Sequence, residues 1–224
     1  MIFTTLPDAI LFDFDGVLAS SHALHASAWH EAAREQGFEG SLTAMLHRYS
    51  GLAPRSIAAG LAGELGGDAS RLYARKLAIM AKRAAEVPLL PGAKELLLWC
   101  REQKLPHGIA SNSPASLVQS ILQSHALFDE DMILIGEQEG YLPKPDPAPY
   151  LRLFAALGLE HPRHEAWIIE DSLPGIQAAV ASKLGPAIGI AREDIPRTRI
   201  MEQGASHLFD SPRQLLDTLL KLLD

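Results

Sequence analysis

The stretch Ala9-Ile10-Leu11-Phe12-Asp13-Phe14-Asp15-Gly16-Val17-Leu18 decides how the rest of the chain is read. Its first four residues form a short apolar run of the kind that makes a buried strand in a parallel sheet. The run breaks into two acids separated by one residue, and then a glycine. If the backbone stays extended, the two-residue period of a strand sends Asp13 and Asp15 to the same side, and Gly16 permits a sharp turn after them. Two carboxylates at the end of a buried strand repel each other and are costly to desolvate. A cation between them is the simplest way to make that arrangement tolerable. The alternative is a pair of exposed loop acids, and the remainder of the chain discriminates between the two.

At 224 residues, the chain suits one α/β domain or such a domain carrying a smaller insert. Its 47% hydrophobic share is enough for a full core. A net charge of −7 disfavours a nucleic-acid partner. It does not exclude anionic substrates, because a bound Mg2+ and a few Lys or Arg reverse the local sign in a cleft. The single cysteine, Cys100, lies in the apolar run Leu96-Leu97-Leu98-Trp99-Cys100 and reads as a buried helix residue. No apolar run approaches the ~18 residues a membrane span requires. The N-terminus lacks a basic segment and carries Asp8, Asp13 and Asp15, so it does not read as a signal peptide. A cytoplasmic, monomeric protein without a membrane partner is expected.

After Leu18 the pattern turns helical. Ser20 or Ser21 is placed to cap a helix reaching about Gln36, and residues 41–49, 54–65 and 68–86 read as three more helices. Four helices without a strand predict a helical insert over residues 19–86. The core then consists of residues 1–18 and 87–224. From Pro91-Gly92 onward, apolar strands at 107–110, 132–135, 166–169 and 186–190 alternate with helices, the last of which is capped by Ser211. That alternation predicts an α/β fold, a doubly wound parallel sheet of the Rossmann-like type with an inserted four-helix cap. Ser113-Pro114 and Asp146-Pro147 read as helix starts.

Four strand ends carry polar clusters: Asp13/Asp15, Ser111/Asn112, Lys144 after a loop, and Glu170/Asp171. In a parallel sheet all carboxyl ends share one edge, and ligands bind there. Carboxylates from two strands supply hard oxygen ligands suited to Mg2+, and no cysteine cluster competes. A lysine stiffened between Pro143 and Pro145 and a serine hydroxyl facing the same point complete a site for a phosphoryl group.

Asp13-Phe14-Asp15-Gly16-Val17, Ser111-Asn112, Lys144-Pro145-Asp146-Pro147 and Ile169-Glu170-Asp171-Ser172 together resemble the motifs of the haloacid dehalogenase-like hydrolases. The resemblance is to the branch with a helical cap after the first strand, which includes β-phosphoglucomutase and sugar-phosphate phosphatases, and it covers nearly the whole chain. It implies that Asp13 is the nucleophile and Asp15 the general acid and base. It also implies that Ser111, Lys144 and backbone amides of Phe14, Asp15 and Gly16 bind phosphate, with Asn112 beside them. Mg2+ would be held by Asp13, the Asp15 carbonyl and Asp171, with Glu170 joining directly or through water. The cap would close over a small phosphorylated metabolite, a sugar or sugar-acid phosphate.

The second acid, Asp15, is not kept in the dehalogenase branch, which points to phosphoryl transfer. The phosphonatase branch needs a cap lysine, and Lys76 and Lys82 read as members of a solvated face. A mutase needs a second anion site. The family's Lys-Gly pair and following arginine are here Ser50-Gly51-Leu52-Ala53-Pro54-Arg55, so hydrolysis is favoured over isomerisation. A hexose-phosphate mutase and a non-catalytic phosphometabolite-binding protein are the alternatives. In the cap, His25 is expected to face the cleft and Arg48 and Arg55 are candidates for substrate contact. His22, His25 and His30 do not have helix spacings that suit one metal.

Overall fold

The computed structural model of the chain describes residues 3–49, 52, 54–137 and 142–223. Its centre is a parallel sheet of β1 (Ala9–Phe12), β2 (His107–Ala110), β3 (Ile133–Ile135), β4 (Ala166–Glu170), β5 (Ala187–Ile190) and β6 (His207–Phe209), in the order β3-β2-β1-β4-β5-β6. The expected α/β doubly wound architecture is the one observed. The edge strand β6 was not anticipated. Three residues, His-Leu-Phe, are too few to display a strand period, and pairing with β5 is what makes them a strand.

Strand periodicity divides the core in two. Ile10 and Phe12 point into one apolar cluster with Leu96, Trp99, Ile109 and Leu122, whereas Ala9 and Leu11 join Tyr150, Leu153, Ile168 and Ile176 on the other face. Helices α5 (Ala93–Glu102), α6 (Ala115–Ser124) and α10 (Pro212–Leu220) contribute to the first cluster, and α7 (Ala148–Ala156), α8 (Leu173–Ser182) and α9 (Arg197–Glu202) to the second. Ser211 caps α10 as expected, accepting from the Gln214 amide.

Four helices follow β1 before the next strand: α1 (His22–Arg34), α2 (Leu42–Tyr49), α3 (Pro54–Leu65) and α4 (Ala69–Lys82), the last trailed by a 3-10 turn at Ala84–Glu86. The chain enters and leaves this segment side by side. Ser20 N donates to Pro88 O at 2.8 Å and Leu90 N to Leu18 O at 2.9 Å. Leu24, Trp29, Leu61 and Leu72 of these helices belong to the same apolar cluster as Phe12 and Leu96. Of the expected mutase-like stretch, Ser50, Gly51 and Ala53 lie outside the described residues.

The sheet places the site. Strand order reverses between β1 and β4, which pair Phe12 with Ile169. Their carboxyl ends carry Asp13/Asp15 and Glu170/Asp171, so the two acidic pairs converge at the switch point of a doubly wound sheet, where ligands bind.

Candidate active site

Beyond Phe12 the backbone leaves the strand and coils. Leu18 N and Ala19 N both donate to Phe14 O, at 2.9 and 3.0 Å, and Gly16 N donates to Ala19 O at 2.8 Å. Gly16 holds φ at +87°, and a Cβ there would lie 1.8 Å from Asp171 Oδ2. Only glycine allows the turn and the close approach of the two acidic segments. The Gly16 amide, which the resemblance places among the phosphate donors, is here bonded within the turn to the Ala19 carbonyl.

Asp13, Glu170 and Asp171 are buried, and each offers an oxygen within 4.8 Å of the others'. Lys144, 4% exposed, bridges two of them: its Nζ is 2.7 Å from Asp13 Oδ1 and 2.6 Å from Glu170 Oε1. The Lys144 backbone is held by Asn112, whose Oδ1 accepts from Lys144 N at 3.0 Å and whose Nδ2 donates to Lys144 O at 3.4 Å. Asn112 thus fixes the lysine from behind. Glu170 is saturated. Its Oε1 also accepts from Tyr150 Oη at 2.5 Å, and its Oε2 from the Asp171 amide and the Ser172 hydroxyl. A Cβ on Gly175 would sit 1.9 Å from the Glu170 carboxyl carbon, so this glycine makes room for the acid.

Asp15 lies apart from this cluster. Its carboxylate accepts from the hydroxyls of Ser21, Ser111 (3.1 Å) and Ser113 (2.7 Å), and from His25 Nε2 at 3.1 Å. The Asp15 carboxylate therefore does not join the metal-capable triad. Ser113 was expected to cap α6, but the N-cap position falls on Pro114 and the Ser113 hydroxyl goes to Asp15. Ser21 likewise makes no side-chain cap for α1. At α7 the N-cap position likewise falls on Pro147 rather than Asp146, although the Asp146 side chain accepts from Ala148 N at 2.8 Å.

Lys76 overturns its reading as a solvated residue. It is 1% exposed, its Nζ is 3.0 Å from His25 Nδ1, and it lies over the rings of Trp29 and Tyr73 at 5.5 and 5.7 Å. An ammonium only donates, so His25 Nδ1 accepts and His25 Nε2 carries the hydrogen that Asp15 receives. Burial drives the Lys76 pKa down to about 8, against the opposing pull of Asp15 and Glu137.

Electrostatics separate the two catalytic candidates. Burial, followed by the charge of Glu170, raises the Asp13 pKa well above the ordinary value, and Lys144 offsets this only in part. Asp13, Glu170 and Asp171, with Asp194 beyond them, share Lys144 and Arg192, so carboxylates outnumber these two cations. The triad's donor set, all oxygen and all acidic, fits a hard divalent cation such as Mg2+. Burial also acts to raise Asp15, but His25, Ser21 and Ser113 outweigh it and hold the carboxyl well below the usual range.

The remaining candidates go elsewhere. His22 Nε2 and Arg192 Nη1 both contact Asp171 Oδ2 at 3.0 Å, and Arg192 also pairs with Asp194. His30 bonds to the Gly40 carbonyl, so the three histidines form no common centre. Arg48 pairs with Glu64 and Arg55 with Glu137, both at 2.7 Å. Sequence reasoning missed Tyr150, Arg192, Gly175, Ser21 and the position of Lys76. Only Lys76 left a signal: it lies three and four residues from Tyr73, Leu72, Ile79 and Met80, on the buried stripe of α4.

A model of the haloacid dehalogenase-like hydrolases matches residues 7–183. The chain belongs to this family. A phosphoglycolate phosphatase from Rhodospirillum rubrum is 28% identical to this hydrolase over 224 residues, spanning 96% of this chain and 91% of that protein. Another, from Yersinia pseudotuberculosis, is 30% identical over 189 residues, 81% of this chain and 79% of that protein. A hydrolase from Pseudomonas syringae has the same fold, with a TM-score of 0.79 at 22% identity, covering 95% of this chain and 98% of that one.

Proposed function

We propose that this hydrolase is a Mg2+-dependent phosphatase that cleaves a small phosphorylated metabolite through an aspartyl-phosphate on Asp13. It is a phosphoric monoester hydrolase. The observation that carries the reading is the Asp13 carboxylate, held by Lys144 Nζ at 2.7 Å at the switch point, with Asp15 beside it under separate control. The phosphatase names of the relatives support the same reaction class.

Asp13 and Asp171 would hold the ion, with Glu170 adding charge from behind through the donors it already binds. When bound, Mg2+ would offset the carboxylate charge and screen repulsion between the nucleophile and the phosphoryl oxygens. An Asp13 oxygen attacks phosphorus, and the bond from phosphorus to the ester oxygen breaks. Lys144 fixes the attacking carboxylate, and the Ser111 hydroxyl, which donates to Asp15, would turn to a phosphoryl oxygen when the ester binds. The arriving phosphoryl dianion raises the proton affinity of Asp15 by like-charge repulsion, so Asp15 takes up a proton from solvent as the ester enters and delivers it to the leaving oxygen. Asp15, again a carboxylate, then removes a proton from water. That water attacks the aspartyl-phosphate, and inorganic phosphate and free Asp13 result. In this reading residues 19–86 act as a cap that excludes bulk water from the reaction.

The test is phosphate release from a panel of phosphomonoesters with Mg2+. Asp13→Asn is expected to lose at least about 10^3-fold in kcat, because no other carboxylate replaces the nucleophile. Retention of wild-type turnover by a folded Asp13→Asn protein would overturn the assignment.

A further inference from the structure

Above Asp15 opens a cavity of about 510 Å³. The four inserted helices and their connections supply His22 and His25 at its inner edge, whose Nε2 atoms go to Asp171 and Asp15, and an apolar wall beyond them. That wall is made by Trp29, Met45, Tyr49, Leu52, Pro54 and Ile57. The polar ends of this wall face away from the cavity's chemistry. Tyr49 Oη is bonded to Glu64 at 2.5 Å, so Tyr49 offers ring rather than hydroxyl. Leu52 is 49% exposed, a large apolar side chain left in solvent at the cavity wall.

Among the described residues, no lysine or arginine of these helices belongs to the cavity lining. Arg48 is on Glu64 and Arg55 on Glu137, and Lys76 is packed behind His25. Among the described residues the one lysine or arginine in the lining is Arg192, and its guanidinium is already shared by Asp171 and Asp194. Asn112 and Ser113, also in the lining, are engaged with the Lys144 backbone and with Asp15. Against the wall of Trp29, Met45 and Ile57 a polyol would leave hydroxyls without partners, and a second anion in the cavity would meet Asp194 and Asp15. Both are unfavourable where water is displaced.

We infer that the alcohol part of the substrate is uncharged and presents an apolar ring or branched hydrocarbon face to Trp29, Met45 and Ile57. The inference rests on the phosphatase reading and narrows it away from the sugar and sugar-acid phosphates that the motifs suggest. Apolar contact of this kind discriminates between esters of equal size, since the hydroxylated analogue keeps the shape but loses its solvation.

The experiment compares kcat/KM, with Mg2+, for cyclohexylmethyl phosphate, glucose 6-phosphate and 2-phosphoglycolate. The first two share a six-membered ring and a primary ester, so they differ chiefly in hydroxylation. Cyclohexylmethyl phosphate is expected to exceed each of the others by about tenfold or more. Ile57→Asn is expected to shrink that ratio several-fold through KM. Equal or better turnover of glucose 6-phosphate or 2-phosphoglycolate, or an unchanged ratio in Ile57→Asn, would overturn the inferred substrate class. Phosphate release from none of the three would overturn the phosphatase reading itself.

Discussion

Lys76 and Gly16 show what single residues do here. A buried base whose pKa is lowered from 10.5 to about 8 binds fewer protons folded than unfolded across that interval, so its contribution to stability rises with pH there. Below about pH 8 both states carry the charge and the full burial cost is present. Lys76→Met is therefore expected to stabilise the protein at pH 7 by on the order of 3 kcal/mol, an advantage lost above pH 10.5. Urea unfolding at the two pH values checks this, and an equal difference at both would contradict it. Gly16→Ala meets both a positive φ and the Asp171 carboxylate. It is expected to cost about 1–3 kcal/mol of stability and to lower kcat by roughly 10²-fold, measured by denaturation and phosphate release. The need for glycine at 16 was legible as a sharp turn. That Asp171 lies on its far side was not, because the two are 155 positions apart in sequence.

At the scale of the element, two serines that look alike in sequence have different tasks. Ser211 and Ser113 each precede a proline and an apolar helix. Ser211 bonds to the Gln214 amide and caps α10, whereas the Ser113 hydroxyl turns to Asp15. Ser211→Ala is expected to lower stability by about 1 kcal/mol with kcat/KM unchanged. Ser113→Ala is expected to change the activity and its pH profile with little loss of stability, since it removes one of the donors that hold Asp15 ionised. Thermal unfolding and a pH–rate profile of both variants separate the two roles. Local pattern located the starts of these helices to within about two residues, because capping is a short-range matter of hydroxyl and amide. It did not distinguish a cap from a catalytic partner, because that choice depends on what the sheet brings opposite the hydroxyl.

For the whole molecule, the parallel sheet gathers charge at one edge, and the excess of carboxylates over Lys144 and Arg192 is expected to make folding sensitive to cations. Mg2+ at about 100 times its Kd is expected to stabilise the protein by about 2.7 kcal/mol, a Tm rise of roughly 5 °C in a chain of this length. EDTA is expected to reverse both the rise and the phosphate release, and a Tm indifferent to Mg2+ in the presence of turnover would count against the ion seat. The chain by itself determined the alternating strands and helices, the helical segment after β1, and the residue types at the four strand ends. These are local properties, written in apolar periodicity and in the acids, lysine and hydroxyls that interrupt it. Only the tertiary structure decided which of those groups act together. It separated Asp15 from the Asp13–Glu170–Asp171 cluster, buried Lys76 behind His25, and turned Arg55 toward Glu137. The physical reason is that such pairings are set by packing between elements distant in sequence, and the awkward Asp13-Phe14-Asp15 triplet is stable only because three other strand ends and one helix meet it in space.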